Sequence, residues 1–287
     1  MNEKLTKAEL LRWHLEAGVD ETIGDSPVDR FAEFPPAAVP QKLAEAPASP
    51  VQPPASGISP APSVMSALKL PIASSARGAA PVVAEHLLRQ AWGLAEAATT
   101  VEELHQAAAG FDGCGLKKMA TNTVFGDGNP KARIVFIGEG PGAEEDRQGV
   151  PFVGAGGALF DAMLGSIGLD RSNVYMSNIV FWRPPGNRTP TATETALCMP
   201  FVERLMELID PDILVTVGGP AAKAMLAETA GVGRLRGKWY TYSTPRLSRP
   251  VQATALFHPA YLLGSPSHKR EAWADLLAIR DKLAAVS

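Results

Sequence analysis

Four short stretches in the second half of the chain carry side chains that could do chemistry. The first is IVFIGEGPGAEEDRQGVPFVG over 134–154, an apolar run that halts at Gly138 and passes into a glycine-lined, proline-stiffened turn. Glu139 sits in that turn beside Gly140, an acidic trio of Glu144, Glu145 and Asp146 follows, and Phe152 lies in PFVG. The second is Ser177-Asn178 followed by Arg183-Pro-Pro-Gly-Asn-Arg188, an amide and two guanidinium groups. The third is Gly218-Gly219-Pro220, which opens a helix whose free N–H groups suit a phosphate. The fourth is His258-Pro-Ala-Tyr-Leu-Leu263, with an imidazole ahead of two leucines. Together they offer carboxylates for acid–base or charge-stabilising work, an amide for reading a planar ligand, and a histidine for proton donation.

Each stretch follows an apolar run of strand length. Strands over 133–138, 174–180, 213–217 and 251–257 alternate with helices over 158–167, 193–208, 221–228 and 269–283, which predicts an α/β fold. Four such strands make a four-stranded parallel sheet flanked by helices on both faces, a three-layer α/β/α arrangement. The carboxyl ends of parallel strands share one edge, so the four stretches are expected to meet there. The first turn is not a nucleotide P-loop, because no Gly-Lys-Ser/Thr follows. Nor is it a dinucleotide fingerprint, because Gly138, Gly140 and Gly142 are spaced GxGxG around a proline.

Ahead of this unit the composition changes twice. Residues 6–23 read as an amphipathic helix, with Leu10, Leu11, His14, Leu15 and Val19 on one stripe, and residues 1–34 form a helical segment suited to a protein partner. Residues 35–82 are Pro/Ala/Ser-rich without a period, as flexible linkers are. A compact domain is predicted over 83–287, beginning with a helix around His86 to Trp92 and another opened by the capping box Thr100-Val-Glu-Glu.

Bulk properties exclude several classes. No apolar run approaches the roughly 20 residues that a membrane helix needs, and the charged N-terminus MNEKLTKAEL shows no signal peptide. Two cysteines in 287 residues point to a reducing cytoplasm rather than a disulfide framework. Net charge is −3, and residues 1–100 hold 8 basic and 11 acidic side chains, which leaves 19 of each in the remainder. That balance permits nucleic-acid binding through a focused patch without requiring it; Arg183, Arg188, Gly219 and the RLRGK run that includes Arg236 and Lys238 are the groups that could touch phosphates.

GEGPGAEEDRQGVPFVG, the Asn178 strand, RPPGNR and HPAYLL occur in that order. With them the chain resembles the family 4 branch of the uracil-DNA glycosylases from about Cys114 to Leu283. The resemblance implies an enzyme of base excision repair that flips deoxyuridine from DNA and hydrolyses its N-glycosidic bond. It implies that His258 donates to the departing base and that Glu139 positions water or stabilises the sugar cation. Gly140, Glu145, Phe152 and Asn178 would hold uracil: Phe152 by stacking, Asn178 by reading N3–H and O4, and Glu145 by helping to exclude thymine's methyl. Leu262 and Leu263 would form the wedge that holds the gap left by the flipped base.

Family 4 enzymes usually bind a [4Fe–4S] cluster through four cysteines, and the matching positions here read Phe111, Cys114, Trp182 and Cys198. Two thiolates do not make that site, so the expectation is no cofactor and no metal, with Phe111 and Trp182 packed together in the volume that a cluster would occupy. A relative that traps itself covalently on uracil-DNA is the alternative; the trapping variety carries a basic loop with a histidine after the second strand, and RPPGNRTPT has none. A monomeric enzyme acting on uracil-containing DNA is the expected reading.

Overall fold

The computed structural model describes residues 79–286, so the front helix and most of the linker expected from the sequence lie outside the described residues. The first helix, α1 (Ala79–Ala97), begins inside the stretch expected to be linker. Helix α2 (Val101–Gly110) is capped as predicted at Thr100, whose side chain accepts from Glu103 N at 3.1 Å. The Glu103 carboxylate reaches back one residue further than a capping box requires, to the N–H and hydroxyl of Thr99.

Six strands form one sheet: β1 (Gly126–Gly128), β2 (Ile134–Gly138), β3 (Tyr175–Asn178), β4 (Ile213–Val217), β5 (Tyr240–Tyr242) and β6 (Val251–Leu256). Their order is β1-β3-β2-β4-β6-β5. The inner four are parallel, as predicted, while β1 and β5 are antiparallel edges that the four-strand expectation omits. Both edges are only three residues long, and Gly-Asp-Gly has neither branched side chains nor alternation to mark it as a strand.

The central strands are buried on both faces, and the side-chain period of two divides them between two cores. In β2, Val135 and Ile137 enter one core and Ile134 and Phe136 the other. The first core is covered by α1, α2 and α5 (Ala192–Ile209), and contains Phe111, Cys114, Trp182 and Cys198. The second is covered by α4 (Gly154–Gly165), α8 (Pro259–Gly264) and α9 (Lys269–Ala285), and contains Phe152, Phe160 and Leu262. Each fully buried aliphatic or aromatic side chain contributes about 1.5–3 kcal/mol relative to exposure, so both faces contribute to holding the sheet together.

Three short helices were not expected from periodicity: α3 (Ala143–Gln148), α7 (Val232–Leu235) and α8. None exceeds two turns, too short for an apolar stripe to repeat. Helix α6 (Gly219–Leu226) follows β4 directly. Register completes the arrangement: Gly138 pairs with Asn178 and Val217 with Leu256, so the four parallel strands end together.

Candidate active site

The turn after β2 is built by what glycine omits. A Cβ on Gly138 would lie 2.4 Å from Asn178 Oδ1 and 2.8 Å from Phe152 Cζ, so any side chain there would displace both groups. Each member of the acidic trio has other work. Glu144 pairs with Arg147 at 2.6 Å at the surface. Asp146 is buried and accepts from the N–H groups of Thr121 and Asn122 at 2.8 and 3.1 Å. Glu145 accepts from Gly142 N through Oε2 and from Val153 N through Oε1, both at 3.0 Å, and so staples the turn to the PFVG segment. Glu145 lines the cleft, as the expected role beside the base requires, and its two oxygens are held in place by these backbone amides.

Glu139 also faces the cleft. Burial pushes its carboxyl above the usual range, opposed by a hydrogen bond with the Thr189 hydroxyl. Thr189 was not singled out by sequence reasoning; a threonine in a polar loop carries no periodic signal.

A cleft of about 420 Å³ opens at the carboxyl edge of the sheet, lined by Glu139, Gly140, Glu145, Phe152, Asn178, Arg188, Thr189 and His258 among others. The Phe152 ring stacks on Phe160 with centroids 4.7 Å apart and lies 6.1 Å from the His258 ring at an interplanar angle of 22°. Asn178, at the end of β3, is 4% exposed, yet its carboxamide forms no hydrogen bond with another described residue. The side chain lines the cleft, which leaves the carboxamide open to a ligand.

His258 is the N-cap of α8, and its Nδ1 accepts from Ala260 N at 3.2 Å. A ring nitrogen that accepts carries no proton, so the imidazole is the neutral tautomer with its proton on Nε2. Burial lowers its pKa, which keeps that tautomer at neutral pH. The ring packs over Gly218, whose φ of 95° places it in the region that favours glycine.

The predicted DNA contacts divide. Arg183 donates to Asn187 Oδ1 at 2.7 Å and stays within its loop. Arg188 forms a two-pronged pair with Glu194 at 2.7 and 2.8 Å, which holds the Glu194 carboxyl down to about 2. Gly219 opens α6, outside the cleft lining, and Lys238 is exposed. Arg236 is corrected: it makes four hydrogen bonds to Asp275 and Glu271 and lies over the Phe257 ring at 5.4 Å, so it ties α7 to α9 instead of facing solvent.

Leu262 is also corrected. It is 1% exposed and belongs to the second core, whereas Leu263 is 43% and Tyr261 45% exposed. Neighbours on a helix point about 100° apart, so two successive leucines cannot share an outward face. Tyr261 and Leu263 lie about 200° apart around the helix, and Tyr261 packs on Phe257 and His268, so Leu263 is the outward leucine.

On the opposite face, Phe111, Cys114, Trp182 and Cys198 are all buried at 1% exposure or less. Phe111 and Trp182 join through two other rings: Phe111 packs on Phe201 at 5.5 Å, Phe201 on Phe181 at 6.3 Å, and Phe181 on Trp182 at 6.0 Å. Trp182 Nε1 donates to Thr123 Oγ1 at 3.0 Å, so its polar atom is satisfied. Interaction with the Cys114 thiol, with burial added, raises Cys198 well above the usual thiol range. Among the described residues no group of three or more His, Cys, Asp or Glu could hold a metal ion. Two thiols and two large rings do not fit a cluster that needs four thiolates.

The comparisons agree with this geometry. A model of the uracil DNA glycosylase superfamily matches residues 125–277. The type-4 uracil-DNA glycosylase of Archaeoglobus fulgidus is 42% identical over 170 residues, 58% of this chain and 84% of that protein. That of Thermotoga maritima is 40% identical over 157 residues, 54% of this chain and 79% of the relative. That of Sulfurisphaera tokodaii is 35% identical over 187 residues, 63% of this chain and 84% of the relative. The matched span runs from β1 into α9 and takes in every strand and every residue of the cleft, and on that ground the chain belongs to the uracil-DNA glycosylase superfamily.

Proposed function

We propose that this protein is a uracil-DNA glycosylase of base excision repair, which extrudes deoxyuridine from DNA and hydrolyses its N-glycosidic bond to leave free uracil and an abasic sugar. The observation that carries the reading is the single cleft into which a neutral imidazole, an unpaired buried carboxamide, an aromatic ring and a carboxyl group converge.

Uracil entering the cleft stacks on Phe152. The Asn178 carboxamide accepts from N3–H and donates to O4, a pattern that cytosine inverts, so the wrong base leaves both partners unpaired. As the bond between C1′ and N1 breaks, its electron pair moves onto the base and negative charge grows on O2. The Nε2–H of His258 donates there, and this bond is stronger in the transition state than in the ground state. A neutral donor suits the task, because it stabilises the anion without first drawing a proton from water. Glu139 in its ionised form offsets the positive charge on the sugar and holds the water whose oxygen bonds to C1′; the proton that this water loses ends on the departing uracil anion. Gly140 keeps the turn beneath the base free of side chain.

Leu263 is the outward leucine of α8, the helix that His258 caps at the cleft, and fills the gap in the duplex. Arg183, Lys238 and the amide end of α6 at Gly219 contact phosphates, while Arg188 serves the loop through Glu194. The reaction needs no iron–sulfur cluster here, a reading supported by the donor set around Cys114 and Cys198. Among the described residues no helix is long and apolar enough to cross a membrane. Free buried thiols support action in the cytoplasm, and the protein is expected to act as a monomer.

The test is alkali-induced nicking of single- and double-stranded oligonucleotides that carry one uracil, thymine or cytosine. Nicking at uracil alone is expected. Absence of nicking at uracil in both forms would overturn the function.

A further inference from the structure

Phe152 is the largest side chain in the cleft, and its backbone has a φ of 54°, a left-handed conformation that residues with a Cβ rarely adopt. Something must hold it there. The carbonyls of Pro151 and Phe152 both accept from the guanidinium of Arg171, the former at 3.2 Å from Nη1. Arg171 comes from the loop before β3 and is itself fixed by Asp127 of β1 at 3.0 Å and Asp161 of α4 at 2.9 Å. The Phe152 carbonyl also runs so close to Gly157 that a Cβ there would lie 2.0 Å from its oxygen. On the other side, the next amide, Val153 N–H, is held by Glu145.

We propose that Arg171 is a positioning residue for base recognition: by clamping two successive carbonyls it holds Phe152 in its left-handed conformation and so aims the ring across the cleft toward His258. The inference rests on the uracil reading of the cleft. Arginine is required because its planar fork reaches two carbonyls and two carboxylates at once; a lysine ammonium keeps the charge but lacks the reach. Two anionic neighbours keep the guanidinium from being drawn out to a DNA phosphate.

The experiment compares wild type, Arg171→Lys, Phe152→Ala and the double variant by calorimetric titration with free uracil and by steady-state base release. Stacking holds the base equally in ground and transition states, so Arg171→Lys should raise KM and weaken uracil binding about tenfold, with kcat within about twofold. A residue that only stabilises the fold would lower the thermal midpoint and the active fraction while leaving uracil affinity intact. In the Phe152→Ala background, Arg171→Lys should weaken uracil binding no further. Unchanged uracil affinity in Arg171→Lys, or equal losses in both backgrounds, overturns the proposal. If Arg171→Lys does not fold, Asp161→Asn, which removes one of the anchors at the surface, is judged by the same uracil titration. Wild type that binds uracil without releasing it from DNA would count against the glycosylase reading alone, and the Arg171 comparison would stand on the titration.

Discussion

The two faces of one sheet treat their signature residues in opposite ways. At the carboxyl edge, Glu139, Phe152, Asn178 and His258 are brought to one cleft. In the first core, the two thiols Cys114 and Cys198 are buried with Phe111 and Trp182, which are linked by a chain of aromatic rings. The cleft depends on particular donors and acceptors in particular protonation states, for which no residue of similar volume substitutes. The core depends on filled volume and satisfied polar atoms, and a tryptophan whose Nε1 finds Thr123 supplies both.

The largest effects that sharpen this contrast belong to the cleft. Asn178→Ala should lower base release about a hundredfold or more, because the base edge loses both hydrogen bonds, with little change in the thermal midpoint. In the core the contrast reverses. Phe111→Ala or Trp182→Ala should destabilise by about 3–5 kcal/mol in denaturant titrations while the folded fraction keeps its rate, and the purified protein should be colourless and free of iron. A brown preparation with stoichiometric iron would break the comparison. The adjacent leucines of α8 test it on the scale of one helix. Leu262→Ala should lose about 2–5 kcal/mol of stability, whereas Leu263→Ala should spare stability and slow release from duplex about tenfold.

The smallest effects are those of pH and charge. The folded pKa of His258 lies below its ordinary 6.5, so the unfolded chain takes up the proton first. Its contribution to stability is complete above pH 6.5 and fades as pH falls through the folded value. Activity should follow the same course, since a second proton on Nδ1 breaks the bond from Ala260 N. Glu139 has the opposite sign: its folded pKa is raised, so it favours folding below about 4.5 and opposes it once pH rises through the folded value. Glu139→Gln should therefore raise the thermal midpoint at neutral pH and slow base release, which makes this carboxyl a group kept at some cost to the fold.

Much of this was legible in the sequence because the inner strands are apolar on both faces and are separated by helices. That pattern placed four strand ends on one edge and with them the residues of the cleft. What stayed hidden had no periodic signal. The edge strands β1 and β5 are three residues long, and α8 is six, so the inward turn of Leu262 could not be read from HPAYLL. Arg236 looked like a phosphate contact because its run RLRGK is basic, but its partners Asp275 and Glu271 lie 39 and 35 residues away. The partners of Glu145 were hidden for a related reason: only the fold shows which backbone amides a carboxylate meets. Arg171 and Thr189 emerged from contacts alone.

The central claim is that a neutral His258 stabilises uracil as it leaves. Single-turnover release from a uracil oligonucleotide by wild type and His258→Ala, at neutral pH with uracil affinity measured in parallel, tests it most directly. The account predicts a rate about 10²–10³-fold lower in the variant, as for loss of one preorganised oxyanion donor, with affinity for free uracil nearly unchanged. Equal rates in the two proteins would contradict it.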